Sequence, residues 1–176
     1  MISILDGINY GNRILIPIKW DGAVVSFQTR DITNKHLRKY LACPKEREII
    51  NLKQILYGNQ KTWNKELPAI CVEGVTDVWR LYPYNQNTFA VMGIEYTPKQ
   101  VRLIAKNFKK VFVAFDDDPQ AQVKAKSLVA ELHFRGIESH NITIKGDPES
   151  LHDEEARKLC LQILTQYNEK DILFQS

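Results

Sequence analysis

VFVAFDDDPQAQVKAKSLVAEL, Val111 to Leu132, sets five apolar residues directly against three aspartates, a proline and then a pattern of helical period. The apolar run reads as a buried strand. Beyond Pro119, Ala121, Ala125, Leu128, Val129 and Leu132 share one helical face, and Gly136 is placed to stop the helix. The joint between the two elements is the unusual part. Carboxylates a few ångströms apart do not all stay ionised cheaply unless water, a basic partner or a bound cation compensates them. Asp118 before Pro119 also matches an N-cap followed by a first-turn proline. On this stretch alone, Asp116 and Asp117 fit a wet loop as well as a cation site.

The neighbouring sequence repeats the strand-then-helix pattern. AICVEG, TFAVMG, KVFVAF and ESHNITI read as strands, and VTDVWRLY, TPKQVRLIAKNF and DEEARKLCLQILTQY as helices. Thr97 is an N-cap candidate, with Pro98 in the first turn. Alternation of this kind predicts an α/β fold, a mostly parallel sheet with flanking helices. In such sheets functional sites gather at the carboxyl ends of the strands. Glu73 ends the first of these strands, Asp116 ends the third, and Asp147 lies just past the fourth. Three acids at three such ends can converge on one hard cation such as Mg²⁺, which takes oxygen ligands.

The part before Pro68 is different. NRILIPIKWDGAVVSFQTR (Asn12–Arg30) predicts a hairpin turning at Asp21-Gly22. NKHLRKYLACPKEREIINLKQILYG (Asn34–Gly58) is mixed, with a basic cluster, a proline break and an expected helix ending near Gly58. NQKTWNKELP (Asn59–Pro68) reads as a connector. Residues 1–66 hold 11 Lys and Arg against 6 Asp and Glu, and residues 67–176 hold 13 against 15. The expected organisation is a small basic α+β subdomain (1–66), an α/β domain (67–150) and a C-terminal helix packed on it (151–176). A basic part beside a mildly acidic one suits polyanion contact by the first and cation binding by the second.

Several classes are disfavoured by composition. With 44% hydrophobic and 26% charged residues the chain reads as globular, and no apolar run approaches a membrane span. The N-terminus does not read as a signal peptide. Cys43, Cys71 and Cys160 form no CxxC pair and read as free thiols of a reducing compartment, so a cytoplasmic location and no zinc ribbon are expected. His36, His133, His140 and His152 show no metal spacing. Tyr40 and Trp63 are candidates for stacking on a base, or for packing in a core.

CVEGVTDVWRL, then VFVAFDDDPQAQVKAKSLVAEL, then GDPES resembles the Toprim domain: a Glu-Gly after one strand, a D-x-D after another and a later Asp-Pro. RILIPIKWDGAVVSFQTRDI with RKYLACPKEREIINLKQILYG is similar to the segment that precedes Toprim in bacterial-type and phage primases. The resemblance spans roughly residues 10–150. It implies a primase-like nucleotidyltransferase core that makes short primers on single-stranded DNA from nucleoside triphosphates.

The resemblance also implies residue roles. The family's glutamate falls on Glu73, its D-x-D on Asp116 and Asp118, and its later aspartate on Asp147, a set that would hold Mg²⁺ or Mn²⁺. Glu73 would complete the metal shell or act as base toward a 3′-hydroxyl. Asp77, one helical turn from Glu73, would support the site. The basic positions fall on Arg30, Lys39 and Lys53, which would contact template backbone or triphosphate. The sequence departs from the pattern at Asp117, where the family usually has glycine, and at Pro119-Gln120, where it has Ala-Gly. Neither CxxC pairs nor a Walker loop is present, which fits an excised core, a compact protein served by a helicase or zinc-ribbon protein in trans, as suits a phage or mobile element, or a Toprim protein with another task. The same acidic set would serve a Toprim nuclease, and the fold alone would serve a non-catalytic nucleic-acid-binding accessory protein. A topoisomerase is disfavoured because the chain is too short for a strand-passage gate.

Overall fold

The computed structural model describes residues 4–5 and 8–173, with side-chain surroundings for 10–165. The first and last residues of the expected outer units, 1–3 and 174–176, lie outside the described residues. The chain divides into two compact units, Met1–Leu52 and Lys53–Ser176.

In the first unit a short pair, β1 (Ile4–Leu5) and β2 (Ile8–Asn9), precedes a three-stranded antiparallel sheet of β3 (Arg13–Trp20), β4 (Ala23–Asp31) and β5 (Tyr40–Ala42), in that order. The β3–β4 hairpin turns at Asp21 (φ 48°) and Gly22 (φ 83°). Two consecutive left-handed residues are what a tight two-residue hairpin needs, and Asp-Gly supplies them. Ile16, Ile18 and Val25 are buried, while the buried Asp31 accepts hydrogen bonds from the Thr33 and His36 amides and closes the turn after β4.

The second unit is a parallel sheet of order β7-β6-β8-β9, built from β6 (Ala69–Val72), β7 (Thr88–Ala90), β8 (Lys110–Val113) and β9 (Glu138–Asn141). The connecting helices are α1 (Val75–Leu81), α2 (Pro98–Asn107) and α3 (Pro119–Phe134), with α4 (Asp153–Leu173) closing the chain. Every residue of β6 and β8 is buried. Strands covered on both faces read as unbroken apolar runs, which is why AICV and VFVAF carry no alternation. Helix α1 packs beside α4, and α2 beside α3. Phe89 and Phe108 stack at 4.9 Å, and Trp63 meets both edge-on, so Trp63 belongs to this core. Cys43, Cys71 and Cys160 are free and buried. No helix of the described residues is long and apolar enough to cross a membrane.

Residues 34–58 correct one expectation. No α-helix forms there; only 3₁₀ turns at Lys45–Arg47 and Leu52–Gln54 do. The backbone groups have stronger calls elsewhere: the Ile49 amide donates to Val25 O, and Tyr57 exchanges two hydrogen bonds with Ala90 (2.9 and 2.8 Å) along the free side of β7. This covers an edge that would otherwise present unpaired backbone. Residues 53–66 therefore pack with the second unit, upstream of the 66/67 division read from charge.

Gln100 on α2 ties these pieces together. It is fully buried, donates to Ile55 O and Val91 O (both 2.9 Å), and accepts from the Thr97 amide. Gln100→Ala is expected to leave these groups unmatched in a dry setting and to cost about 2–3 kcal/mol. Denaturant unfolding checks this; a loss below about 0.5 kcal/mol, typical of an unremarkable surface site, would contradict it.

Candidate functional site

Because β6 and β8 are neighbours and parallel, their carboxyl ends emerge side by side. Cys71 pairs with Val113, and Ala114 N–H donates to Cys71 O at 2.8 Å. Glu73 follows one strand and Asp116 the other. Asp116 N–H donates to Glu73 Oε1 at 3.0 Å, so the backbone of one acid holds the side chain of the next. Asp118 caps α3, its Oδ1 accepting from the amides of Gln120 (3.0 Å) and Ala121 (3.1 Å). Glu73 and Asp118 each keep a second oxygen beyond the one so engaged. One oxygen each from Glu73, Asp116 and Asp118 fall within 4.8 Å of one another. Three hard oxygen donors at this spacing fit a divalent cation of the Mg²⁺ or Mn²⁺ kind.

Asp147 stands outside that group. It caps the short turn Pro148–Ser150, with Oδ1 accepting from Ser150 N–H at 2.7 Å, and it is close enough for its charge to act on Glu73. Asp77 is buried and bonds in two directions. Its Oδ2 accepts from Gly74 N–H (2.8 Å), next to Glu73, and its Oδ1 from Glu149 N–H (3.1 Å), two residues past Asp147. Thr76 Oγ1 donates to Glu149 Oε2 at 2.7 Å on the same seam. Asp117 is exposed and accepts from Gly146 N–H at 2.8 Å.

Lys53 lies on the other border. Its ammonium donates to Met92 O (2.7 Å) and Glu95 O (2.6 Å), with Val91 O at 3.5 Å. The segment it holds has two left-handed residues in succession, Met92 (φ 65°) and Gly93 (φ 102°), and Gly93 N–H donates to Glu73 O at 2.8 Å. A non-glycine residue at such a φ is uncommon and needs its surroundings to hold it. Lys53 is thus spent on protein carbonyls beside the site. Arg30 and Lys39 lie in the first unit. Arg30 Nη1 donates to Tyr40 Oη at 2.6 Å, and both cations approach the face of the Tyr40 ring (5.4 and 5.9 Å).

Gln122 was invisible in the sequence. It donates to Asp116 O (2.9 Å) and Phe115 O (3.3 Å) and accepts from Asn141 at the end of β9 (2.9 Å), bracing the aspartate loop. Its spacing, one turn into a capped helix, is the only local signal, and many helices share it. Glu149 likewise has no signature apart from following Asp-Pro.

Burial, and then the charges of Asp116, Asp118 and Asp147, raise the Glu73 pKa to about 7, against the hydrogen bond from Asp116 N–H. Burial, and then Asp116, Glu149 and Asp147, raise Asp77 to about 7, against the bond from Gly74 N–H. Both groups bind protons more tightly in the folded chain than in the unfolded one. The stability so contributed is complete below the ordinary carboxylate range and is lost as pH rises through about 7.

A Toprim-like family profile matches residues 70–154. The DNA primase of Aquifex aeolicus is 31% identical over 134 residues, covering 74% of this chain and 27% of that protein. The DNA primase of Legionella pneumophila is 31% identical over 170 residues, covering 89% of this chain and 29% of that protein. The chain thus spans under a third of the length of these relatives. Among solved structures, the zinc-binding and RNA polymerase domains of the Aquifex aeolicus primase superpose with a TM-score of 0.76 at 26% identity, over 93% of this chain and 43% of that one.

Metal-free protein is expected to melt several degrees lower at about pH 8 than at about pH 6, the sign set by the raised Glu73 and Asp77 values. Asp77→Asn, which does not titrate, is expected to flatten that slope. Thermal scans with a chelator present check both, and a melting temperature that rises across the interval would overturn the assignment.

Proposed function

The chain carries a Toprim-like domain and resembles the catalytic core of bacterial-type and phage DNA primases, and from that premise we propose that it is a primase-like nucleotidyltransferase core that makes short primers on single-stranded DNA. The observation that carries the reading is the convergence of Glu73, Asp116 and Asp118 oxygens within 4.8 Å at the carboxyl edge of a parallel sheet.

Glu73, Asp116 and Asp118 would hold Mg²⁺ or Mn²⁺, with Asp147 adding negative charge beside them. A divalent cation there neutralises developing charge on a triphosphate and orients the attacking and leaving oxygens. Glu73 is half-buried and titrates near neutrality, so it is able either to hold the cation or to take the proton of a 3′-hydroxyl. Asp77 keeps the backbone next to Glu73 and the turn after Asp147 in place. Arg30 and Lys39 offer cationic contacts to template backbone or triphosphate, a sequence-independent form of recognition. Lys53 adds positive potential while its ammonium holds the Met92–Glu95 backbone. Nucleoside triphosphates and single-stranded DNA are the proposed substrates. A zinc-ribbon protein or helicase, beyond residues 1–176, is the proposed source of template choice and unwinding.

One gel tests the activity. End-labelled single-stranded DNA is incubated with the protein, nucleotides and Mg²⁺ or Mn²⁺, beside Glu73→Gln and a parallel lane of labelled nucleotide. New short products carrying the nucleotide, absent with Glu73→Gln, are expected. Shortened DNA with the same Glu73 dependence would identify a nuclease instead. Neither product would favour an accessory nucleic-acid-binding protein.

Cation binding is tested apart from activity. Saturating Mn²⁺, at about 100 times its Kd, is expected to stabilise the folded chain by about 2.7 kcal/mol and raise its melting temperature. Asp116→Asn/Asp118→Asn should abolish the rise. An unshifted wild-type melt would sink the cation site.

A further inference from the structure

Three aspartates stand in a row, and the triad uses only the first and third. Asp117 has its own partner. Its Oδ2 accepts from Gly146 N–H at 2.8 Å, and its own N–H donates to Gly146 O at 3.0 Å. One residue thus exchanges two hydrogen bonds with one glycine, one from the side chain and one from the backbone. Gly146 sits at φ +85°, a conformation few other residues adopt, and a Cβ there would come within 3.3 Å of Ser150 Oγ. The next residue is Asp147.

The far side of Asp147 is already fastened. Its Oδ1 and its backbone oxygen accept from Ser150 N–H and Oγ–H, each at 2.7 Å. Asp77 and Thr76 hold Glu149. On the near side, the last backbone tie of β9 to β8 is Ile142 N–H to Val113 O at 2.8 Å. Between Ile142 and Asp147 the chain bends through Gly146, and the two bonds to Asp117 fasten that bend. A glycine at position 117 would keep the backbone bond and lose the side-chain one.

We propose that Asp117 is a positioning residue that staples the Gly146–Asp147 bend to the Asp116–Asp118 loop and so fixes where the Asp147 charge faces the triad. The proposal rests on reading the triad as a cation site. Its consequence is that Asp117 contributes to cation affinity through Asp147, without touching the cation.

The test uses the full chain and two readouts. Without metal, amide hydrogen exchange is followed across residues 143–151 for wild type, Asp117→Ala and Asp117→Asn. Asparagine keeps a side-chain acceptor and drops the charge. Alanine is expected to speed exchange in that segment, and asparagine to leave it near wild type. Mn²⁺ affinity is then titrated calorimetrically. Alanine is expected to weaken binding about tenfold, at the low end of what outer partners of metal ligands cost, and asparagine by less than about threefold, having lost only an exposed charge that water and salt screen. In an Asp147→Asn background, Asp117→Ala should cost almost nothing more, because coupled residues are not additive. Full additivity, or an asparagine loss as large as that of alanine, would overturn the staple and make Asp117 a direct electrostatic contributor. Unchanged exchange in Asp117→Ala would overturn it outright. If wild type takes no Mn²⁺, the cation reading of the triad falls, and the exchange result alone decides the staple.

Discussion

Carboxylates set a few ångströms apart repel one another, and the second unit is arranged around that repulsion. Parallel pairing of β6 with β8 forces Glu73 and Asp116 to emerge together. The protein answers with backbone amides. Asp116 N–H faces Glu73, Gln120 and Ala121 amides face Asp118, Gly146 faces Asp117, Ser150 faces Asp147, and Gly74 and Glu149 face Asp77. Each bond fixes the direction of its acid. Three of them, Asp116 to Glu73, Gly146 to Asp117 and Glu149 to Asp77, also tie distant segments together, so the same bonds serve as the scaffold of the site.

The parts of this arrangement that the sequence shows are the local ones. AICV and VFVAF are unbroken apolar runs because both faces are covered, and Thr97-Pro98 and Asp118-Pro119 cap helices through bonds within four residues. Asp21-Gly22 turns a hairpin by its own backbone preference. Glu73, Asp116 and Asp118 are legible because strand ends of a parallel sheet meet by topology alone. What is not legible depends on distant partners. Residues 34–58 give up a helix because Val25 and Ala90 take their amides. TFAVMG ends as a strand at Ala90 because Met92 and Gly93 are left-handed. Asp77 reaches Glu149, and Lys53 reaches Met92 and Glu95, across separations that no short motif encodes.

Lys53, which the resemblance implies as a contact to template backbone or triphosphate, also has a task within its own unit. An ammonium has three donors. Two of them meet carbonyl oxygens at 2.6 and 2.7 Å, and a third oxygen lies at 3.5 Å. Burial lowers its pKa, and Glu95 opposes that shift. The carbonyls it gathers belong to the one segment of this border with successive left-handed residues, whose Gly93 amide holds the backbone of Glu73. Positive charge here is spent first on shaping the edge of an acidic site.

The same accounting says what completes that site. The charges acting on Glu73 are those of Asp116, Asp118 and Asp147, and what opposes them is a single amide. Burial first, and then those charges, which an amide's partial charge does not cancel, let Glu73 retain a proton up to about pH 7. A proton relieves one carboxylate only. A divalent cation of suitable size would relieve Glu73, Asp116 and Asp118 at once, through one oxygen of each. Proton and cation therefore compete for the same repulsion, and the geometry of three oxygens within 4.8 Å favours the cation as pH rises through neutrality.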